Sequence, residues 1–201
     1  MKAVFQLRPS FSSCRSTWDP ELLLTYIKGL LANEDLSLIH LSLKLTALML
    51  LVSGQRGLVL HLLDIRNMSV SDSRVSFQIG DYLKTTRPSC HMSELLFETY
   101  TPDNFLCVHS ARIHYLDRTK DIRDSISSLF LSTKPPIKTA STDTLRCWTQ
   151  DLMAAAGIDL MVFSPHSTRC TSSSKAALKL PLATIFAYSW LVQGIYFCRI
   201  L

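Results

Sequence analysis

Residues 36–57 read LSLIHLSLKLTALMLLVSGQRG. From Leu36 to Val52 the stretch is almost wholly apolar, punctuated only by small hydroxyl side chains, His40 and Lys44. It is too short and too interrupted for a confident membrane span, and a helix apolar on all sides is one that sits inside a protein core. Ser53-Gly54 stops it, and Gln55-Arg56-Gly57 follows before a second apolar helix from Leu58 to Leu63. The domain is therefore expected to be organised around a buried helix, with an arginine in the sharp turn at its end.

Upstream, residues 1–19 are irregular. Asp19-Pro20-Glu21 then opens a helix, with Asp19 as N-cap, Pro20 at the first helical position and Glu21 favoured by the helix dipole. This helix is expected to run to about Leu31, before Asn33-Glu34-Asp35.

Downstream the period changes. Val75, Phe77 and Ile79 alternate with polar residues, which is the strand period, and Ser71-Asp72-Ser73 supplies a turn. Gly80-Asp81 makes a second turn, placing Lys84 at or beside a hairpin tip, and 94–100 reads as a third strand. Residues 109–130 look helical. Lys134-Pro135-Pro136 is a loop, and 143–156 forms a helix ended by Gly157. Phe163-Ser164-Pro165 leads into a helix carrying His166, Arg169 and Lys175. The fold class is α+β, mainly α, with one small antiparallel sheet.

Composition agrees with a folded, core-forming chain. Of 201 residues, 47% are hydrophobic and 18% charged, which excludes a disordered polar chain. The net charge is +5. From Met161 to Leu201 there is no Asp or Glu, while Arg169, Lys175, Lys179 and Arg199 are present, so most of the excess positive charge lies there. An acid-free stretch suits a phosphate-facing surface. The cysteines (14, 90, 107, 147, 170 and 198) show no CxxC pair and are expected to be reduced, in a nuclear or intracellular protein. Cys107, His109 and His114 are near one another in sequence, but without a second cysteine pair they are read as structural, and no metal or cofactor is expected.

Four polar groups stand out on this apolar background. Arg56 lies in the turn between two buried helices, Lys84 on the hairpin, and His166 and Arg169 one helical turn apart. Two arginines can grip one phosphate through paired N–H donors, and a lysine and a histidine can move protons around it. Taken singly, each is an ordinary structural or solvated residue.

Together, in this order and on these elements, they resemble the tyrosine recombinases, or phage integrases, and more narrowly the recombinase domains of mobile elements in animal genomes. The resemblance begins near FQLRP (5–9) and runs through NEDLSL (33–38), SGQR (53–56), LHLLDIRNMSVS (60–71) and LKTTRP (83–88). It continues through YLDRTKDIR (115–123), AGID (156–159) and SPHSTR (164–169), to about Ile185. It implies a tyrosine recombinase catalytic domain over 36–201, atypical after 185. Residues 1–35 would be a linker remnant of a missing core-binding domain. By the same resemblance Arg56 and Arg169 clamp the scissile phosphate, Lys84 is the general acid for the 5′ oxygen, and His166 takes part in proton transfer. The implied partner is duplex DNA, with self-association on it. The implied reaction is metal-free strand breakage and rejoining through a phosphotyrosyl link.

The pattern departs where the nucleophile belongs. The chain ends FAYSWLVQGIYFCRIL (186–201), and family spacing would put the tyrosine at or just past Leu201. Tyr188 and Tyr196 come too early, and Trp190 is out of register. Tyr196 is the remaining candidate by residue type, and is read as a tyrosine in an apolar tail. The nucleophile is therefore unassigned. A truncated or alternatively spliced, inactive chain is expected. Two alternatives stand beside this: a non-catalytic DNA-binding module, and a membrane-anchored protein spanning at 180–198. The second is disfavoured by Pro181, Thr184, Tyr188, Ser189, Gln193 and Gly194 within that run.

Overall fold

A computed structural model describes residues 17–80, 94–165 and 167–179. The helix that organises it is the one expected from the apolar run. It spans Leu38–Ser53 and is α2, following α1 over Pro20–Lys28. The Ser37 hydroxyl accepts from the His40 N–H at its start. Gly54 ends it in the left-handed region, φ 59°, with its N–H donating to the Leu50 carbonyl at 2.9 Å. Every residue from Leu41 to Val52 is buried. Such a helix has no solvent side, so other elements must surround it.

The surrounding layer begins with α1. Asp19 accepts from the Glu21 N–H at 3.0 Å, and Leu23, Leu24 and Ile27 enter the core. The helix ends at Lys28, a few residues short of Leu31, and Lys28 pairs with Asp103 at 3.2 Å. Trp18, ahead of α1, is also buried, so the core draws on residues before 36.

After α2 come α3 (Gly57–His61), a 3-10 turn (Ile65–Asn67) and the strands β1 (Met68–Ser71), β2 (Arg74–Gln78) and β3 (Glu94–Glu98). They form an antiparallel sheet in the order β1-β2-β3. Ser71 pairs with Arg74, leaving Asp72-Ser73 as a two-residue turn. Val75, Phe77 and Ile79 are buried, as their alternation predicts, and Phe77 meets Phe97 edge-on with ring centroids 6.4 Å apart. The expected hairpin tip with Lys84 lies in the connection between β2 and β3, outside the described residues.

Helix α4 spans Val108–Thr119, not 109–130. The segment beyond it is irregular and is organised by Arg123. Its guanidinium turns inward and donates to the Thr119 hydroxyl at 2.9 Å and to the carbonyls of Leu129, at 3.0 Å, and Ser128. Those carbonyls are thereby satisfied without a helix. Asp124 takes φ 47°, and the chain then runs beside residues 63–65, with the Leu129 N–H on the Leu63 carbonyl at 2.7 Å. Helix α5 (Thr142–Ala155) is capped by Ser141 and stopped before Gly157, whose φ is 77°. Its Trp148 meets Phe130, which in turn meets Tyr115. Helix α6 spans Ser167–Lys179. The described architecture is mainly helical with one small antiparallel sheet, as expected.

Gly54 occupies a conformation L-residues avoid. Gly54→Ala is expected to cost about 1 kcal/mol from the left-handed backbone alone, read as a lower denaturation midpoint with unchanged slope. An unchanged midpoint would show that the α2 terminus relaxes freely.

Candidate phosphate-binding site

Arg56 stands at the N-cap position of α3 with extended backbone, φ −91° and ψ 153°, and its side chain makes no capping bond. Gly54 reverses the chain out of the core, so the arginine two residues later emerges at the surface, where it is exposed. Arg169 lies in the first turn of α6 and is half-buried.

Small hydroxyl residues bring the two together. Thr168, Thr171 and Ser172 of α6 are all buried, and α6 packs on α2. Side chains this short allow close helix approach, and Thr168 and Ser172 satisfy themselves locally, while the Thr171 hydroxyl has no partner among the described residues. The Ser172 hydroxyl donates to the Thr168 carbonyl at 2.8 Å, and Thr168 donates to Pro165 at 2.5 Å. At the end of α2, a Cβ on Gly54 would come within 4.0 Å of the Ser172 Cβ. The turn bearing Arg56 thus abuts the helix bearing Arg169.

The electrostatics record this proximity. Burial lowers the Arg169 pKa from its ordinary value, and the neighbouring Arg56 charge lowers it further. Among the described residues neither arginine takes part in a salt bridge. Two like charges, one of them partly dehydrated, repel each other. An anion between them removes the repulsion and accepts from both guanidinium groups.

The first turn of α6 is also held from the opposite end of the chain. The Trp18 indole N–H donates to the Ser167 hydroxyl at 2.9 Å, and that hydroxyl donates to the Ser164 carbonyl at 2.6 Å. Trp18 falls in a segment that reads as irregular, and no periodicity or spacing marks it.

Of the sequence-predicted site residues, Arg56 and Arg169 are brought together. Lys84, His166 and Tyr196 lie outside the described residues, as do Tyr188, Trp190 and the apolar run 180–198. Among the described residues no helix is long and apolar enough to cross a membrane. Cys107, His109 and His114 do not converge: the Cys107 sulfur accepts from the Tyr100 N–H, while His114 faces Glu34 at 3.7 Å. Cys107 and Cys147 are free thiols, but Cys170 is disulfide-bonded, against the expectation of reduced cysteines. Pairing depends on the spatial approach of two Cα atoms, which spacing along the chain does not report.

No family model and no curated protein matches the sequence. Solved structures do match the fold. The XerH site-specific recombinase bound to difH substrate, in a pre-cleavage complex, is similar with a TM-score of 0.62 at 14% identity, over 92% of this chain and 49% of that one. XerH bound to palindromic difH substrate, in a post-cleavage complex, is similar with a TM-score of 0.61 at 13% identity, over 92% of this chain and 48% of that one. The XerA recombinase is similar with a TM-score of 0.58 at 18% identity, over 96% of this chain and 61% of that one. The chain thus spans about half the length of the XerH chains it matches. Its fold is that of a tyrosine recombinase catalytic domain.

Proposed function

We propose that this chain is a duplex-DNA-binding protein of the recombination class, in which Arg56 and Arg169 clamp one backbone phosphate. The observation that carries the reading is the convergence of these arginines, Arg169 lowered in pKa by burial and further by the Arg56 charge, with no carboxylate paired to either among the described residues. Two guanidinium groups held together with no counter-ion among the described residues suit an anion. Similarity of the fold to recombinases solved on their DNA substrates supports reading that anion as a nucleic-acid phosphate.

In this reading each arginine contributes a different part. Arg56, exposed at the mouth, meets the phosphate first. Arg169, drier, forms the stronger bond once water is displaced. Together they offset charge on the non-bridging oxygens, including the extra charge that develops if the phosphodiester is attacked. Lys84 and His166 are proposed to handle the protons of the leaving oxygen and the attacking group. Mobile-element DNA as the substrate is part of the same proposal and rests on the sequence resemblance.

Titration of a fluorescent duplex at increasing salt tests the binding step. Log affinity should fall linearly with log salt, by about 0.9 for each phosphate neutralised. Affinity that stays level from low to moderate salt would remove the phosphate clamp from consideration.

A further inference from the structure

We propose that Trp18 is a positioning residue for the arginine pair, acting through Ser167 to hold the turn from which Arg169 projects. This rests on the phosphate-binding reading of that pair.

The chemistry of the contact is directional. An indole N–H can only donate, and a serine hydroxyl has one proton and two lone pairs. The Ser167 proton is committed to the Ser164 carbonyl at 2.6 Å, which leaves a lone pair for Trp18 at 2.9 Å. The Ser167 backbone N–H also returns to the Ser164 carbonyl, at 2.8 Å. The turn from Ser164 to Ser167 is therefore closed by Ser167 twice, and Ser167 is in turn fixed from outside by Trp18. Arg169 follows two residues later, on the same helical turn.

Trp18 is suited to act as that external fix. It is buried, it belongs to the same hydrophobic cluster as Leu23, Leu24 and Ile27 of α1, and Asp19 immediately after it caps that helix. A buried indole whose donor is satisfied has little freedom to move. The far side of α6 is set by α2, where Gly54 lies against Ser172. The first two turns of α6 are thus contacted by Trp18 on one side and by the end of α2 on the other. A phosphate clamp needs such a restraint, because guanidinium geometry loses its advantage when its supporting turn drifts.

The test uses the full chain and four variants: Trp18→Phe, Ser167→Ala, Ser167→Thr and the double Trp18→Phe/Ser167→Ala. Two readouts are taken. One is the Arg169 Nε–H resonance of the free protein, assigned by its loss in Arg169→Ala. The other is affinity for a fluorescent duplex. Trp18→Phe and Ser167→Ala should each displace the resonance and weaken affinity by about fivefold, the equivalent of one neutral hydrogen bond. The double variant should be no weaker than either single one. Ser167→Thr, which keeps the hydroxyl, should stay within twofold of the parent in affinity. Additive losses, or affinity within twofold of the parent in Ser167→Ala while Arg169→Ala is impaired, would reduce the Trp18 contact to packing and overturn the proposal. If Arg169→Ala itself binds DNA normally, the phosphate reading fails. The positioning proposal is then decided by the resonance: moved in Ser167→Ala, it stands; unmoved, it falls. Ser167→Ala carries the decision if Trp18→Phe does not fold.

Discussion

Arg169→Ala is expected to weaken duplex affinity by about ten- to a hundredfold, the range of one or two charge-assisted hydrogen bonds, while leaving the free protein as stable as before or more so. The combination follows from the environment of the side chain. Burial and the Arg56 charge both disfavour the charged guanidinium when no anion offsets them, and both lower its pKa. Alanine removes that unfavourable term along with the binding contact, a trade of stability against function seen at sites built for charged ligands. The loss should be similar on any duplex, since a phosphate carries no base information. The salt slope should shrink by about 0.9. Arg169→Lys should recover part of the affinity, because an ammonium keeps the charge but loses the planar paired donors. Anisotropy titrations at two salt concentrations, with calorimetric melting of the free variants, make the check. Parallel loss of melting temperature and affinity would show that Arg169 is structural.

Lys44→Met is expected to stabilise the protein at neutral pH by roughly 2 kcal/mol, the scale on which replacing a buried charge with an apolar side chain of similar size pays off. Lys44 sits within α2 with none of its surface exposed, and its ammonium has no hydrogen-bond partner. Compensation comes from the Phe105 ring, 5.2 Å from the nitrogen, and from Asp103, which is shared with Lys28. Burial lowers the Lys44 pKa to about 8, with Asp103 opposing the shift. The displacement from 10.5 to about 8 corresponds to roughly 3 kcal/mol against the charged folded form. Below about pH 8 both folded and unfolded chains hold the proton, and the whole cost is present. Between about 8 and 10.5 the folded chain releases it while the unfolded chain keeps it, so stability rises with pH. Above that window the cost is gone. The advantage of Lys44→Met should therefore be largest at pH 7 and fade towards pH 10.5. Urea unfolding of both proteins at pH 7 and pH 10 reads this directly. A methionine variant less stable than the parent at pH 7 would mean that the ammonium, its ring and Asp103 form a net favourable cluster.

Much of the fold was legible because its signals are local. The apolar run after residue 36, the glycine at 54, the Asp19-Pro20 start, the Ser71-Asp72-Ser73 turn and the stop at Gly157 each act within one or two turns of chain. Each appears where expected. Residues 109–130 carry the same kind of local signal and misled it. The helix stops at Thr119, and the segment after it is tied down by Arg123 donating to carbonyls at 128 and 129, a tertiary arrangement that a local signal does not report. The site divides in the same way. Arg56 and Arg169 were nameable from the turn, the helix and the resemblance.

Sequence by itself determined the α+β class, the buried central helix, the antiparallel hairpin and the residue types available for gripping phosphate, since these follow from period, turn chemistry and charge along the chain. Tertiary structure decided that Arg56 and Arg169 meet, that Lys44 points into the core without a hydrogen-bond partner, and that Trp18 reaches Ser167 across a separation of 149 residues. Backbone preferences extend only a few residues, whereas each of these contacts joins elements whose approach is set by the volume and shape of side chains packed between them.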